Sequence, residues 1–368
     1  MSNFDPNAIV RGAQLTVVGA HRALQNPGLF KYEQYRQAAY AVAAGIAIRI
    51  IIEAPVIAVR ILLWIAAFFS HDRLQQASWD DKIISSLEFT ERSVLQLPLF
   101  LMSLMRYLVP TLDHVFMDSL QWVDQTYIQK HKSDDPAHLR SMYYPQLRLY
   151  STHGEGSGHR SPIDTAWTFL VRFGRRAALS LAVVALSYLP VVGRLVLPAA
   201  SFYTFNKAVG PIPAVVVFGS SIFLPRSYLV VFLQAYFSSR SLMRELLVPY
   251  FSRVRFTKQQ KARWFRDREG LLFGFGVGFY IFLKIPIFGV LIYGIAEAST
   301  AYLITKITDP PPPPAYSEGF AESQVRWKNK TEFLTLPLSK LDKHNVFPHP
   351  SEPHSLQAGA EEDSKKVT

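Results

Sequence analysis

The sequence predicts an all-α, polytopic integral membrane helical bundle, in which Pro and Gly break the helices into hairpins, followed by a disordered C-terminal tail. Three observations support this prediction. The apolar residues are gathered in blocks, the basic residues lie between the blocks, and Pro or Gly divides most blocks into two arms. Broken helices are tolerated in lipid where neighbouring helices satisfy the freed backbone groups, which favours a packed bundle.

The block at residues 271–305 shows this pattern most clearly. It is too long for one helical crossing, which needs about 20 apolar residues, and short for two. Lys284-Ile-Pro286 lies at its midpoint. Because proline removes a backbone donor and disfavours helix in the residue before it, we expect two helical arms folded there. Gly274 and Gly278 are spaced for close helix packing, and no strand precedes them as a nucleotide-binding loop requires.

Composition and charge limit the kinds of partner and the kinds of chemistry that this chain can have. The chain has 368 residues, of which 49% are hydrophobic, and a formal net charge of +11. The basic residues flank apolar blocks, which favours anionic lipid headgroups over nucleic acid as a partner. The chain contains no cysteine, which excludes disulfide bonds, thiolate zinc ligands and cysteine nucleophiles. The first residues lack a basic stretch followed by an apolar core, so no cleaved signal peptide is expected.

The alternation of blocks and loops predicts seven regions and places both termini in the cytosol by the positive-inside rule. We expect a cytosolic amphipathic segment, a first membrane hairpin region, a cytosolic polar loop, a second membrane region, a basic cytosolic collar, a third membrane hairpin and a disordered Pro-rich tail. Their boundaries are 1–37, 38–123, 124–176, 177–237, 238–270, 271–305 and 306–368. Within the second membrane region, an apolar arm at 195–205 is expected to break at Asn206-Lys207.

The N-terminal segment predicts a helix before the first membrane region. Residues 9–24 predict an amphipathic helix that ends at the breaker Asn26-Pro-Gly28.

The first membrane region contains charged residues that could line a pore. Arg49 and Glu53 are four residues apart and share a helix face. A charge near the bilayer centre is costly, so the two side chains are expected to neutralise each other, either as a structural pair or as part of a pore. The candidate pore or polar-pair residues are Arg49, Glu53, Arg60, Arg106 and Arg194.

The basic collar predicts a helix lying at a lipid interface. Thr257 and Gln260 fit a capping box, which marks the helix start. The cations that follow, interleaved with aromatic residues, suit anionic headgroups. The candidate lipid-headgroup contacts are Arg253, Arg255, Lys258, Lys261, Arg263, Trp264, Arg266 and Arg268.

The tail contains one motif that matches a known type of peptide recognition. Pro313, Pro314 and Tyr316 match the Pro-Pro-x-Tyr ligand of WW domains, which bind a preformed polyproline helix. A proline spacer that happens to end in tyrosine is the other interpretation. The rest of the tail lacks periodicity and predicts disorder.

No enzyme signature is present, so we predict a non-enzymatic protein with no catalytic residue, cofactor or metal site. The sequence has neither the zinc-binding His-Glu-x-x-His nor the phosphate-cradling Gly-x-x-x-x-Gly-Lys pattern. The histidines of residues 151–159 lie in a Gly/Ser-rich stretch that is typical of a linker.

Several stretches carry a family likeness. Residues 12–31, 188–193 and above all 239–300 resemble the family that unites bacterial CysZ sulfate permeases with the etoposide-induced protein of animals. In detail, residues 10–308 are most similar to the fungal transmembrane proteins called UsgS and to yeast outer-spore-wall and lipid-droplet proteins.

This resemblance implies a function at the endoplasmic reticulum or lipid droplet, in lipid storage or spore-wall assembly. The alternative that it implies is a CysZ-like channel or permease for a small anion. In the permeases a Gly-Leu-Arg sequence contributes to sulfate contact. The matching positions here are Gly28 and Leu29, with Phe30 in place of the arginine and Lys31 one position later.

Overall fold

A computed structural model describes residues 4–30, 111–133, 139–151, 193–220, 226–283 and 289–338, together with the single residues 61, 171, 285 and 341. Every regular element in these ranges is a helix, which confirms the all-α part of the prediction for them. The helices are α1 (Pro6–Leu24), α2 (Thr111–Lys130), α3 (Tyr144–Arg148), α4 (Gly193–Val209), α5 (Pro211–Ser220), α6 (Arg226–Leu246), α7 (Val248–Arg253), α8 (Lys258–Asp267), α9 (Glu269–Leu283), α10 (Gly289–Ile307), α11 (Phe320–Ser323) and α12 (Lys330–Thr335). Short 3₁₀ helices cover Pro27–Phe30 and Pro314–Tyr316.

Helix α1 follows the local signals of its sequence. The Asp5 carboxylate accepts a hydrogen bond from the backbone N–H of Asn7 at 3.0 Å, and Pro6 takes the first helical position. The helix ends at Leu24, just before Asn26-Pro-Gly28. The predicted N-terminal helix and its C-terminal breaker are therefore confirmed.

Close packing joins α1 to α9 through glycines on both helices. A Cβ on Gly12 would meet the Leu271 carbonyl oxygen at 2.1 Å, and a Cβ on Gly278 would meet Thr16 at 2.7 Å. The Thr16 hydroxyl donates to the Phe275 carbonyl oxygen at 3.0 Å across the same interface. The small-residue packing predicted for Gly274 and Gly278 is thus confirmed, with α1 as the partner helix.

Helices α9 and α10 form the centre of the bundle. One ends at Leu283 and the next begins at Gly289, so the chain breaks where Pro286 predicts a break. They pack against α1, α2 and α6. Leu271, Phe275 and Ile304 have no exposed surface, so the apolar character of these helices serves an internal core.

The membrane part of the fold prediction is wrong. Among the helices in the described ranges, none combines the length and the apolar character that a membrane crossing requires. At 271–305, α9 has only 15 residues, and α1, α2 and α6 cover most of the apolar side chains of α9 and α10, although Ile281, Phe282 and Leu291 stay exposed. Helix α5 has 10 residues and is about 15 Å long, half of the roughly 30 Å hydrocarbon core. Most of the predicted region 38–123 lies outside the described residues.

A second, smaller cluster is built by α4, α5 and α6. Phe205 and Tyr236 are fully buried in it, with ring centroids 4.8 Å apart, and Phe273 of α9 joins them. The break predicted at Asn206-Lys207 is wrong, because α4 continues to Val209. The chain turns at Gly210 instead, where φ is +102°, a conformation that favours glycine.

The C-terminal segment, residues 308–338 with Leu341, corrects the prediction of a disordered tail. Trp327 and Phe333 are buried in the main core. Arg268, only 2% exposed, donates to the carbonyl oxygens of Ile307 at 3.1 Å and Gln324 at 3.1 Å. The predicted boundary at 306 therefore does not mark the end of the fold.

Candidate functional site

Most of the predicted pore residues cannot be placed in the fold. Arg49, Glu53, Arg60 and Arg106 lie outside the described residues, and Arg194 lies in α4, where only its backbone is described. Of the predicted anion contacts, Lys31 also lies outside them. The backbone N–H of Gly28 donates to Asn26 Oδ1 at 2.9 Å, so this donor already has an acceptor within the chain.

The basic collar is only partly exposed. The capping box is confirmed, because Thr257 Oγ1 accepts from Gln260 N at 3.2 Å and Gln260 Oε1 accepts from Thr257 N at 2.9 Å. The cations that face solvent are Arg255, Lys258, Arg263 and Arg266. Lys261 is half-buried, with its Nζ 4.5 Å from the ring centroid of Phe251.

Three predicted headgroup contacts instead face the protein interior. Arg253 is buried and forms a two-point ion pair with Asp113, at 2.8 and 2.5 Å. Trp264 has no exposed surface, and the Arg268 guanidinium lies 4.5 Å from its ring centroid. Burial lowers the pKa of Arg268 to about 10. These side chains hold helices and the C-terminal segment together, so they are not on a surface that headgroups could touch.

The Pro-Pro-x-Tyr motif is at the surface. The Tyr316 side chain is 77% exposed, and Pro313 has φ −54° and ψ 150°, which is polyproline II geometry. Pro314–Tyr316 form a 3₁₀ turn closed by the Tyr316 N–H and the Pro313 carbonyl oxygen at 2.8 Å. This 3₁₀ turn would have to open into an extended conformation before a WW domain could bind the whole motif.

An aliphatic surface, defined as Ile212, Val215 and Val216 of α5, faces solvent. These side chains are 71%, 60% and 64% exposed, respectively. Residues 208–225, which contain α5, include no charged residue, while Lys207 precedes them and Arg226 follows. Tyr203 and Tyr228, outside the two ends of this stretch, are also exposed.

A basic cleft lies where α2, α10 and the end of α1 meet. It is a shallow depression that is open to solvent and has a cavity volume of only about 20 Å³. Four cations from four parts of the chain converge on it, beside three aromatic rings. Its lining residues are Arg22, Trp122, Val123, Thr126, Tyr127, Lys130, Arg140, Tyr302, Thr305 and Lys306.

Arg140 is the most constrained cation of the cleft. Its guanidinium lies 4.4 Å from the Tyr127 ring centroid and 5.0 Å from that of Tyr143. Its Nη2 donates to Asp124 Oδ1 at 2.9 Å, while the Tyr144 backbone N–H donates to Asp124 Oδ2 at 2.7 Å. Burial raises the pKa of Asp124, although Arg140 opposes this shift. Arg140 Nε is buried without an acceptor.

Lys306 ties the cleft to the C-terminal segment. Its Nζ donates to the Leu341 carbonyl oxygen at 2.9 Å and lies 5.1 Å from the Tyr302 ring centroid. Its side chain is buried.

Sequence reasoning missed the cleft because its cations are far apart in the chain. A partial signal exists on α2, where Trp122, Thr126 and Lys130 recur every four residues and so share one helix face. Nothing local relates that face to Arg22 or Lys306. Among the described residues, no group of three or more His, Asp or Glu could hold a metal ion.

Comparisons with protein families, with curated proteins and with solved structures found no match to this chain. The resemblance to the UsgS-type and CysZ-like proteins therefore stays a prediction.

Proposed function

We propose that this protein is a non-enzymatic helical protein that attaches to lipid surfaces of the endoplasmic reticulum or lipid droplet, where it acts in lipid storage or spore-wall assembly. Both termini lie on the cytosolic side in this proposal. The observation that carries it is the aliphatic surface of α5, which exposes Ile212, Val215 and Val216 together on a short helix. The organelle and the process rest on the resemblance alone.

The arrangement around α5 favours lipid over a protein partner. Aliphatic side chains lie at the middle of an uncharged stretch, exposed tyrosines lie beyond its ends, and Lys207 and Arg226 flank it. Tyrosine and basic residues are enriched where a protein meets the boundary between headgroups and acyl chains. Interfaces between proteins more often place aromatic residues and arginine at the centre.

The attachment that this surface supports is shallow insertion. A helix of 10 residues lying in the interface can bury one apolar face about 5–10 Å into the lipid. Burial of a valine or isoleucine side chain contributes about 1.5–3 kcal/mol. Three such side chains are enough for reversible binding.

Flotation with artificial oil droplets coated by a phospholipid monolayer tests the proposal. We expect the wild-type chain to float with the droplets and the double variant Ile212→Asp/Val216→Asp to remain in the aqueous fraction. Leu149→Asp is the matched control, because Leu149 is an exposed aliphatic residue outside α5. Equal flotation of all three proteins would show that α5 does not mediate the attachment.

A tagged chain should also form rings around stained droplets in cells, and the double variant should lose them. A diffuse signal for the wild type would contradict the proposed location. The alternative of an anion channel depends on Arg49, Arg60 and Arg106, which lie outside the described residues, so it stays a prediction.

We also propose that a WW-domain protein binds the Pro-Pro-x-Tyr motif. The exposed Tyr316 side chain supports this partner. In a pull-down with isolated WW domains, Tyr316→Ala should abolish capture of the full chain, and Tyr203→Ala, an exposed tyrosine outside the motif, should leave it intact. Capture that is independent of Tyr316 would exclude this interaction.

A further inference from the structure

Tyr150, which follows α3, contacts the chain on both sides of the Pro-Pro-x-Tyr motif. Its hydroxyl donates a hydrogen bond to the carbonyl oxygen of Pro312, the residue before the motif, at 2.6 Å. Burial raises the pKa of Tyr150, and a hydrogen bond with the side chain of Ser317, the residue after the motif, opposes this shift. Two hydrogen bonds at one oxygen keep their partner atoms within about 7 Å of each other. The motif between Pro312 and Ser317 is therefore bent.

The turn inside the motif is also closed by hydrogen bonds of its own. The Tyr316 N–H donates to the Pro313 carbonyl oxygen at 2.8 Å. The Ser317 N–H donates to the Pro314 carbonyl oxygen at 3.3 Å, and the Ser317 hydroxyl lies 2.7 Å from the same oxygen. A hydroxyl carries one proton, so it donates either to Pro314 or to Tyr150. Both contacts hold Ser317 close to the start of the motif.

A WW domain binds such a motif in an extended conformation. Its ligands lie in the binding groove as a polyproline II helix, which advances about 3.1 Å per residue. In that conformation the motif alone, from Pro313 to Tyr316, advances about 9 Å, and its two flanking residues lie about 15 Å apart. One hydroxyl cannot contact both flanks over that distance.

We propose that Tyr150 restrains the Pro-Pro-x-Tyr motif in a bent conformation that a WW domain cannot bind, and that the motif becomes available when the Tyr150 contacts open. This inference rests on the WW partner proposed above and adds a control over the access of that partner. The Tyr316 side chain is already exposed, so the restraint acts on the conformation of the motif and not on its burial.

The restraint comes from a firmly packed part of the chain. The Tyr150 N–H donates to the carbonyl oxygen of Leu147, which has no exposed surface, at 3.3 Å. The buried Tyr143 hydroxyl donates to the Thr308 carbonyl oxygen. Tyr143 thus joins the segment around α3 to the chain before the motif, and Tyr150 joins it to the motif itself. These contacts fix the position of the Tyr150 hydroxyl.

The base of the loop that carries the motif does not have to open. The Gln324 side chain accepts from the Asp309 N–H at 2.9 Å and donates to the Asp309 carboxylate at 2.5 Å. Arg268 donates to the Gln324 carbonyl oxygen at 3.1 Å. None of these three bonds involves residues 312–317, so the motif can extend while the base stays closed. Release of the motif is then a local opening.

Titration of the full chain with an isolated WW domain that recognises Pro-Pro-x-Tyr ligands, followed by calorimetry, tests the restraint. Tyr150→Phe removes only the hydroxyl, so the hydrogen bonds to both flanks are lost while the ring stays. We expect this variant to bind the WW domain about 2- to 10-fold more tightly than the wild type, because loss of a stabilising hydrogen bond raises the binding-competent fraction by about that factor.

Tyr203→Phe is the matched control. It removes a hydroxyl from an exposed tyrosine of α4 and should bind the WW domain like the wild type. The double variant Tyr150→Phe/Tyr316→Ala should not bind, which would show that the gained affinity still depends on the motif.

Hydrogen exchange without a WW domain measures the same restraint independently. The amides of Tyr316 and Ser317, which close the turn, should exchange about 2- to 10-fold faster in Tyr150→Phe than in the wild type. The amides of α9 and of residues 320–336 should exchange at unchanged rates. That result would show that the gain in binding does not come from unfolding of the C-terminal segment.

The restraint and the WW partner fail in different ways. If Tyr316→Ala abolishes WW binding while Tyr150→Phe binds and exchanges like the wild type, the motif is a ligand that Tyr150 does not restrain. If neither the wild type nor Tyr150→Phe binds, the proposed partner is wrong, and the exchange rates alone decide on the restraint. Equal gains in affinity in Tyr150→Phe and Tyr203→Phe would also overturn it.

Discussion

Ile9 and Gly274 lie so close that a Cβ on Gly274 would come within 2.0 Å of the Ile9 carbonyl oxygen. Backbone atoms cannot rotate away from such a clash, so α1 and α9 would have to separate. We expect Gly274→Ala to lower the free energy of unfolding by about 1–3 kcal/mol, or more if the helices cannot adjust. Urea denaturation followed by circular dichroism measures this change.

Gly294→Ala is the matched control. Gly294 lies in α10 with open space where its Cβ would be. Alanine there should raise the free energy of unfolding by about 0.5–1 kcal/mol, because glycine is a poor helix former. Similar effects of the two substitutions would contradict the close packing of α1 on α9.

Arg268→Ala should release the C-terminal segment. The substitution removes the donor for the Ile307 and Gln324 carbonyl oxygens and the cation between Trp264 and Trp327. Buried groups left unpaired cost about 1–3 kcal/mol each. Hydrogen exchange of residues 320–336 should therefore become much faster, while α1 and α9 stay protected.

Arg266→Ala removes an exposed cation from α8, two residues before Arg268, and should leave the exchange of residues 320–336 unchanged. If Arg268→Ala also left it unchanged, Arg268 would not hold the segment in place.

Glu269 should make stability depend on pH. Its Oε1 accepts from the Tyr236 hydroxyl at 2.6 Å and lies 3.1 Å from Arg240 Nε. Burial raises the pKa of Glu269 above its ordinary 4.5, against the opposing effect of Arg240. The folded state therefore binds the proton more tightly than the unfolded state. This stabilising contribution is fully present below the ordinary pKa and is lost as pH rises through the raised pKa.

The variant Glu269→Gln cannot ionise, so it isolates this effect. The free energy of unfolding of the wild type minus that of the variant should fall as pH rises from about 4 toward neutrality. Urea denaturation at several pH values measures the difference. A difference that rises with pH would mean that the ion pair with Arg240 outweighs burial.

Gly210→Ala should disturb the turn between α4 and α5. The φ of +102° at Gly210 is strained for any residue with a Cβ, and the strain costs about 1–3 kcal/mol. Gly219→Ala, at an open helical position in α5, should be neutral or stabilising. Thermal unfolding of both variants tests whether the turn is formed as described.

The elements that the sequence predicts well are those with local signals. Asn26-Pro-Gly28 ends α1, Thr257 and Gln260 start α8, and Pro286 separates α9 from α10. Each signal acts through the backbone within a few residues, so it does not depend on what packs nearby.

The membrane prediction failed because a buried helix and a membrane helix can have the same composition. Helices α9 and α10 contact neighbours on several sides, so they lack the polar face by which a surface helix is recognised. The sequence alone does not say whether protein or lipid surrounds such a helix.

The C-terminal segment was mistaken for disorder for a related reason. Pro310 to Pro314 and a polar composition dominate the local pattern, while Trp327 and Phe333 are isolated in sequence. Their burial depends on a surface made by α8, α9 and Arg268. No short stretch of sequence around Trp327 or Phe333 contains that surface. The basic cleft escaped detection in the same way.

The packing of α1 has a consequence for synthesis of the chain on the ribosome. Thr16 bonds to Phe275, 259 residues later in the chain. At about 5–20 residues per second, translation reaches that partner on the order of 13–50 s after α1 emerges. Throughout this interval the face with Leu15 and Gly19, which is buried in the finished fold, remains uncovered. This waiting time makes α1 a segment to which a chaperone can bind during translation.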